Sequence, residues 1–224
     1  AAECPPTFGS ASDQVVGVIA GGDDALRCSV EGAEDSSDDG AATMDSVEAG
    51  PGDLVLGISA GGTTPFVAGA LGRARELGAT TAWLCCLEQG EAEVACDHAV
   101  HLATGPELLA GSTRLKAGSA TKIVLNFIST YVMGRLGKIH GNLMIDVDTG
   151  GNAKLVSRGV RIVAAVTGLE EPEAAEVLAA AGGRAKTAIL MHARHCSESE
   201  ADDRLASAGG ILRSALPGHG PEEV

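Results

Sequence analysis

The sequence predicts an α/β fold, in which a parallel β-sheet is flanked by helices and followed by a helical C-terminal subdomain. Over residues 1–150, short apolar runs alternate with helical patterns, and such runs are typical of strands buried on both faces. From Ala153 onward, nearly all of the apolar spacing is helical. Strands that alternate with helices favour a parallel sheet covered on both sides. We therefore expect an α/β domain at 1–150 and a helical subdomain at 151–224.

The composition allows one large domain or a domain with an appendage, and it limits the possible partners. Of the 224 residues, 45% are hydrophobic and only 2% are aromatic, so the core must be built from Ala, Val, Leu and Ile. The formal net charge of −14 argues against nucleic acid and anionic membranes as partners. It does not exclude a phosphorylated ligand, because local hydrogen-bond donors hold a phosphate. No apolar run reaches the length of a membrane span.

The cysteine and histidine residues show no spacing that predicts a metal site or a disulfide framework. The six cysteines include no C-x-x-C pair, and the six histidines include no H-x-x-x-H pattern. His192 and His195 lie close to Cys196, but this spacing is more typical of a helix surface than of a metal centre. We therefore expect no bound metal, and the scattered cysteines favour a reduced, cytoplasmic compartment.

The first part of the chain is predicted to contain one buried strand among loops and short helices. Residues 1–13 predict a loop, because the adjacent prolines Pro5 and Pro6 oppose a helix. The apolar run Val15–Ala20 ends at two glycines and predicts a strand, and Ala25–Val30 predicts a helix. An acidic, solvated loop and a weakly helical segment follow (31–39 and 41–50).

The segment Asp53–Gly78 predicts a strand, a small-residue loop and a helix in direct succession. The apolar run Leu54–Ile58 is typical of a buried strand, and the helix is expected to have Thr64 as its N-cap and Pro65 at its first position. The loop between them contains small and hydroxyl-bearing residues (Ser59, Gly61, Gly62, Thr63 and Thr64). Backbone N–H groups at a helix N-terminus favour a negative charge there. This loop is therefore either an anion-binding turn or a tight β–α turn that binds nothing.

Two further strand candidates and a second hydroxyl-rich segment follow. The runs Thr80–Leu87 and His98–Ala103 predict strands, so that with the earlier runs we expect a four-stranded parallel sheet. The segment 111–122 enters a helix that extends to Leu136, and it places hydroxyls and cations near the helix start (Ser112, Thr113, Arg114 and Lys116). Ligands of open α/β sheets bind outside the carboxyl ends of the strands. Two such segments in one domain favour a phosphate ligand.

The C-terminal region has a helical pattern throughout. Leu155, Ile162, Val163 and Val166 fall on one face of the first helix. Further helices are predicted after it (Glu173–Ala181, Arg184–Ala193, Ser199–Ala206 and Ile211–Leu216). Small helical units of this kind more often form core or dimer surfaces than catalytic sites.

Several of these stretches together resemble the N-acetylmuramic acid 6-phosphate etherase family, which is built on a sugar isomerase (SIS) domain. The combination covers nearly the whole chain and is more specific than any single Gly-rich loop. The stretches are AECPPTFG at 2–9, EGAEDS at 31–36, GISAGGTTPFV at 57–67, GSTRLKAGSATK at 111–122, GRLGKIHGNLMIDV at 134–147 and AKTAILM at 185–191.

The resemblance implies cleavage of the lactyl ether of N-acetylmuramic acid 6-phosphate to N-acetylglucosamine 6-phosphate and D-lactate, by elimination and hydration. It implies a cytoplasmic homodimer that binds a small sugar phosphate and needs no metal or organic cofactor. The two acidic residues of the family match Glu3 in AECPP and Glu34 in GAED. By resemblance, Glu3 is the acid that helps lactate to depart, and Glu34 is a candidate base for the C2 proton.

The chain differs from the family pattern in two places. Family members commonly carry Ser and Arg where this chain has Gly61 and Thr63. The family also has a strand and a Gly/Ser-rich turn before AECPP, so the resemblance implies that the chain is N-terminally truncated and lacks that first strand. Two alternatives to an etherase stay open: a non-catalytic phosphosugar-binding regulatory module, as in the glucokinase regulatory protein, and an inactive fragment.

Overall fold

The computed structural model describes residues 1–151 and 153–218. The chain forms two compact units, one of Ala1–Val16 together with Phe127–Val224 and the other of Gly17–Asn126. The predicted division into domains at 1–150 and 151–224 stays a prediction. The last residues of the predicted helical subdomain, 219–224, lie outside the described residues.

Helices and strands alternate in the first half of the chain, and helices dominate the second half. The helices are α1 (Cys4–Phe8), α2 (Ser37–Ser46), α3 (Pro65–Glu76), α4 (Lys116–Arg135), α5 (Ala153–Thr167), α6 (Glu171–Ala180), α7 (Ala185–Arg194), α8 (Glu198–Ser207) and α9 (Leu212–Ala215). The strands are β1 (Leu54–Ile58), β2 (Thr80–Cys85), β3 (His98–His101), β4 (Ile139–His140) and β5 (Leu143–Met144). Short 3₁₀ turns lie at Asp23–Leu26 and Ala33–Asp35.

The sheet of the Gly17–Asn126 unit is parallel, which confirms the prediction from alternating strands and helices. Its strand order is β1-β2-β3, with Leu54 opposite Thr80 and Ala82 opposite His98. Because the strands run in the same direction, their carboxyl ends meet at one edge of the sheet. The loops that follow β1 and β2 therefore begin at the edge where ligands of such sheets bind.

Helix α3 packs against the sheet on one side and against α2 on another. Leu71 of α3 joins Trp83 and Cys85 of β2 in one buried cluster. A second cluster joins α2, α3 and the turn after α3 (Met44, Ala70, Ala74 and Ala79). These small and aliphatic side chains form the core that the low aromatic content predicted.

Helix α7 lies at the centre of the C-terminal helices, which confirm the helical pattern predicted for this region. It packs against α5, α6, α8 and α9, and its residues 185–190 are all buried. Ile145 and Val147, which follow the β4–β5 hairpin, belong to the same core. Helix α8 begins at a capping box between Ser197 and Glu200.

The predicted strand at Val15–Ala20 and the predicted helix at Ala25–Val30 are both wrong. Val16 and Val18 are 58% and 43% exposed, and in the described residues the segment pairs with no strand. Without a hydrogen-bonded neighbour an apolar run does not become a strand, so the parallel sheet has three described strands where four were expected. The helix is replaced by the turn at Asp23–Leu26, which has no buried residue to stabilise a longer helix.

The predicted loop at 1–13 is wrong between Cys4 and Phe8, where α1 forms. Pro5 and Pro6 lie in the first turn of this helix, where the backbone N–H groups have no partner within the helix and proline is tolerated. The β4–β5 hairpin was not predicted, because strands of two residues leave no periodic pattern. Strands β2 and β3 end two residues earlier than predicted.

Candidate functional site

The loop at 59–64 continues directly from β1 and is held against β2 at its start. The Ser59 N–H donates to the Leu84 carbonyl at 3.1 Å, and the Cys86 N–H donates to the Ala60 carbonyl at 3.1 Å. These two bonds extend the parallel ladder past the end of β1. The first half of the loop is therefore fixed by the sheet, as a binding loop at this edge requires.

Ser59, a predicted ligand contact, is engaged within the protein. Its Oγ accepts a hydrogen bond of 3.0 Å from Trp83 Nε1, and Ser59 and Trp83 are 5% and 1% exposed. The hydroxyl of Ser59 therefore anchors the loop to β2. Trp83 was missed from the sequence, although its being the one tryptophan of the chain, within a predicted buried strand, was a usable signal.

Gly62 is required by close contacts as well as by its backbone conformation. Its φ is +74°, and an added Cβ would lie 3.0 Å from Trp83 Cζ2 and 2.9 Å from Leu87 Cδ1. Gly61 differs, because an added Cβ would meet nothing within 4 Å. The space at Gly61 would therefore accept the serine that family members commonly carry there.

Thr63 and Thr64 offer the hydroxyls of this loop that carry no internal hydrogen bond in the described residues. Thr63 is exposed, and Thr64 occupies the predicted N-cap position of α3 with Pro65 after it. Thr64 makes no side-chain cap hydrogen bond. The position of the cap was predicted correctly, and the Thr64 hydroxyl is left available to a ligand.

The start of α4 holds a carboxylate that the sequence did not reveal. The N–H groups of Lys116 and Ala117 donate to the two carboxylate oxygens of Glu107 at 2.8 and 2.9 Å. The bond from Ala117, followed by that from Lys116, holds the pKa of Glu107 below its usual range. Glu107 thus occupies N–H groups that we expected to face a phosphate. The sequence carried little signal for this contact, because Glu107 lies nine residues before the first residue of α4.

The Lys116 ammonium is also engaged, since its Nζ donates to the Thr104 carbonyl at 2.6 Å. Ser112 is half-buried and Thr113 and Arg114 are exposed, just before α4. In the described residues the side chains of these three residues make no hydrogen bond. The second predicted segment therefore offers hydroxyls and the Arg114 guanidinium, with its lysine directed to a backbone carbonyl.

Cys86 connects the two predicted ligand segments. Its backbone N–H bonds to Ala60 in the first loop, and its Sγ lies 3.7 Å from the Ala117 carbonyl and 3.8 Å from Thr121 Oγ1 in α4. The Thr104 hydroxyl donates to the Cys86 carbonyl at 3.5 Å. The structure thus brings the 59–64 loop and the start of α4 to the same edge of the sheet.

The two glutamates singled out by resemblance are both exposed. Glu3 occupies the N-cap position of α1 without making a side-chain cap hydrogen bond, and Glu34 lies in the 3₁₀ turn Ala33–Asp35, which packs against α3. Within the described residues, neither carboxylate has a hydrogen bond or ion pair. Glu3 belongs to one compact unit and Glu34 to the other. Each carboxylate is therefore accessible from solvent.

Neither a metal centre nor a membrane span is found in the part of the chain that the structure describes. There, no three His, Cys, Asp or Glu side chains are grouped in a way that could hold a metal ion. No helix among the described residues is long and apolar enough to cross a membrane.

Comparison with known proteins gives two kinds of match. Residues 3–75 match the model of the glucokinase regulatory protein N-terminal SIS domain. A relative from Mycolicibacterium smegmatis, named N-acetylmuramic acid 6-phosphate etherase, is 49% identical over 96% of this chain and 72% of its own length. Relatives of the same name from Parasynechococcus marenigrum and Gloeobacter violaceus are 48% and 52% identical, over 98% and 86% of this chain.

These similarities extend through both compact units. The chain spans 69% of the length of the Parasynechococcus relative and 62% of that of the Gloeobacter relative. Identity near one half over most of the chain, the SIS match and the parallel sheet agree with the motifs in the sequence. The chain belongs to the N-acetylmuramic acid 6-phosphate etherase family.

Proposed function

We propose that the full-length protein cleaves the lactyl ether of N-acetylmuramic acid 6-phosphate, giving N-acetylglucosamine 6-phosphate and D-lactate. The observation that carries this proposal is the identity of 46% to 52% to relatives named for that activity, over most of the chain. Both glutamates expected from the family motifs are present, exposed and unpaired in the described residues. A carbon–oxygen lyase is therefore the function that the site supports best.

The reaction divides into an elimination and a hydration. In the open-chain sugar, the C1 aldehyde makes the C2 proton acidic, and a base removes that proton. Lactate then leaves C3 as the C2–C3 double bond forms, and its ether oxygen takes a proton from an acid. Water then adds across the C2–C3 double bond, which leaves a hydroxyl at C3 and returns a proton to C2. This sequence needs one group that accepts a proton and another that donates one.

Glu34 is assigned the base and Glu3 the acid. A base must start as a carboxylate and an acid must start protonated, so the two residues need different protonation states when substrate is bound. Neither side chain is committed to an internal ion pair among the described residues.

The phosphate of the substrate is assigned to the shared edge of the sheet. We propose that it lies between the 59–64 loop and the segment 112–116, at the residues that the sequence singled out (Ser59, Gly61, Gly62, Thr63, Thr64, Ser112, Thr113 and Lys116). Thr63, Thr64, Ser112 and Thr113 supply the hydroxyls that carry no hydrogen bond in the described residues, because Ser59 and Lys116 already bond within the protein. No metal or organic cofactor is part of the proposal.

The protein is further proposed to be a cytoplasmic homodimer. Helix α4 exposes large apolar side chains at a spacing of four residues: Ile123 is 53% exposed, Phe127 71% and Tyr131 67%. Residues spaced in this way lie along one side of a helix. Burial of that row against a second copy would remove apolar surface from water.

A second candidate function is a phosphosugar sensor without catalysis. The match of residues 3–75 to the glucokinase regulatory protein N-terminal SIS domain supports it, because that match includes the 59–64 loop. A sensor and an etherase would bind the same class of ligand at this edge. Only turnover separates the two functions.

The decisive experiment measures deuterium incorporation at C2 and lactate release by the full-length protein. Glu3→Ala should abolish lactate release and leave C2 exchange intact, whereas Glu34→Ala should slow both. General acid–base groups contribute about 10²–10⁴-fold, so losses well below tenfold would argue against direct roles. A wild-type protein that binds the sugar phosphate but neither exchanges C2 nor releases lactate would support the sensor.

A further inference from the structure

Two lysines from different parts of the chain converge on one carboxylate. Lys186 Nζ lies 2.7 Å and Lys138 Nζ 3.1 Å from Asp146 Oδ2, and the three side chains are 11%, 24% and 19% exposed. Lys186, in the first turn of α7, also donates to the Gly210 carbonyl at 2.9 Å. The lysine thus links the core of the C-terminal helices to the segment after β5.

A buried cluster of charged side chains such as this one contributes little to the free energy of unfolding. Taking an ammonium and a carboxylate out of water carries a desolvation penalty that their mutual attraction only partly offsets. Lys186 is nevertheless buried, as are the neighbouring residues 187–190 of α7. Stability alone therefore does not account for these three charged side chains, and the segments that they hold together are the alternative explanation.

The segment 146–148, which follows β5, contacts the end of α1, and we call it the seat of α1. An added Cβ on Gly9, directly after α1, would lie 2.7 Å from the Asp146 carbonyl oxygen, and Gly9 has a φ of +58°. The Asp148 N–H donates to the Pro6 carbonyl within α1 at 3.4 Å. Helix α1 has Glu3 at its N-cap position. The position of Asp146 therefore determines where the helix presents Glu3.

We propose that Lys186 and Lys138, acting through Asp146, are positioning residues for the Glu3 carboxylate. This inference rests on the proposed function, in which Glu3 protonates the departing lactate. The C-terminal helices would then contribute to the protonation of lactate, because Lys186 of α7 binds Asp146 in the seat of α1. The earlier step, removal of the C2 proton, is assigned to Glu34 in the other compact unit and does not use this seat.

The test is Lys186→Met in the full-length protein, with C2 exchange and lactate release measured side by side. Methionine keeps the length of the side chain and removes the ammonium. A displacement of a catalytic group by about 1 Å can cost about 100-fold in rate, so we expect lactate release to fall by about 10- to 100-fold. C2 exchange should stay within about twofold of wild type, because the base does not move.

Arg184→Met is the matched control. Arg184 lies just before α7 and bridges Glu198 and Asp202, so its loss breaks two ion pairs in the same helical core without touching Asp146. This variant should lower the melting temperature and keep the ratio of the two rates. Gly9→Ala provides a second positive variant, since its Cβ forces α1 away from Asp146 while leaving both lysines in place.

The outcomes separate this inference from the proposed function. A selective loss of lactate release in Lys186→Met supports the inference, and if that variant fails to fold, Lys138→Met and Gly9→Ala decide by the same ratio. Equal loss of both rates, or no loss in any of these variants, overturns it while the etherase activity of the wild type stands. A wild type without either reaction overturns the proposed function and this inference together.

Discussion

The bond between Trp83 and Ser59 predicts how strongly the 59–64 loop is held to the sheet. In Ser59→Ala, the Trp83 indole N–H loses its acceptor but stays in a site where the side chain is almost fully buried. A buried donor without a partner costs about 1–3 kcal/mol. We expect the free energy of unfolding to fall by about that amount, because little water can reach the indole to replace the hydroxyl.

A double-mutant cycle tests whether the lost bond is the cause. In a Trp83→Phe background, Ser59 no longer accepts from an indole, so Ser59→Ala should cost no more than about 0.5 kcal/mol. The four proteins are compared by urea unfolding monitored by circular dichroism. The control is Ser214→Ala, an exposed serine without a side-chain hydrogen bond in the described residues, which should change stability by less than about 0.5 kcal/mol. An equal cost of Ser59→Ala in both backgrounds would refute the reasoning.

Three further predictions concern ligand binding, pH and assembly. Thr64→Val should weaken binding of the phosphorylated amino sugar in calorimetric titrations and leave the unphosphorylated sugar unaffected; equal binding of both sugars by the parent protein would contradict the phosphate site. Because N–H bonds lower the pKa of folded Glu107, its stabilising effect is present above the ordinary value of 4.5 and is lost as pH falls through the lowered value. Glu107→Gln should therefore flatten the acid side of the stability curve in urea titrations between pH 5 and 3, and an unchanged slope would count against this cap. Phe127→Asp should convert a dimer to monomer in light scattering, whereas Lys122→Asp, at an exposed position of α4 outside the row Ile123, Phe127 and Tyr131, serves as the charged control; a monomeric wild type would exclude this interface.

The sequence predicted well those features that depend on neighbouring residues. The strand at Leu54–Ile58, the small-residue loop and the helix that starts at Pro65 all lie where the pattern predicted them. The same local reasoning failed at Pro5 and Pro6, which begin α1 instead of preventing it, because the effect of proline depends on its position within a helix. It failed again at Val15–Ala20, because a strand needs a partner that the apolar run does not specify.

The family and the candidate catalytic glutamates were determined by the sequence alone, because a motif is recognised from the order of its residues and needs no knowledge of contacts. The tertiary structure alone decided which of the predicted donors are free. Trp83 reaches Ser59 across 24 positions and Lys186 reaches Asp146 across 40, and no periodic pattern encodes pairs at such separations. Glu107 likewise takes the N–H groups of α4 only because the chain folds back to place its carboxylate there. Hydrogen-bond partners are set by proximity in space, and for this reason the residues of the proposed site could be named from the sequence while the hydrogen bonds among them could not.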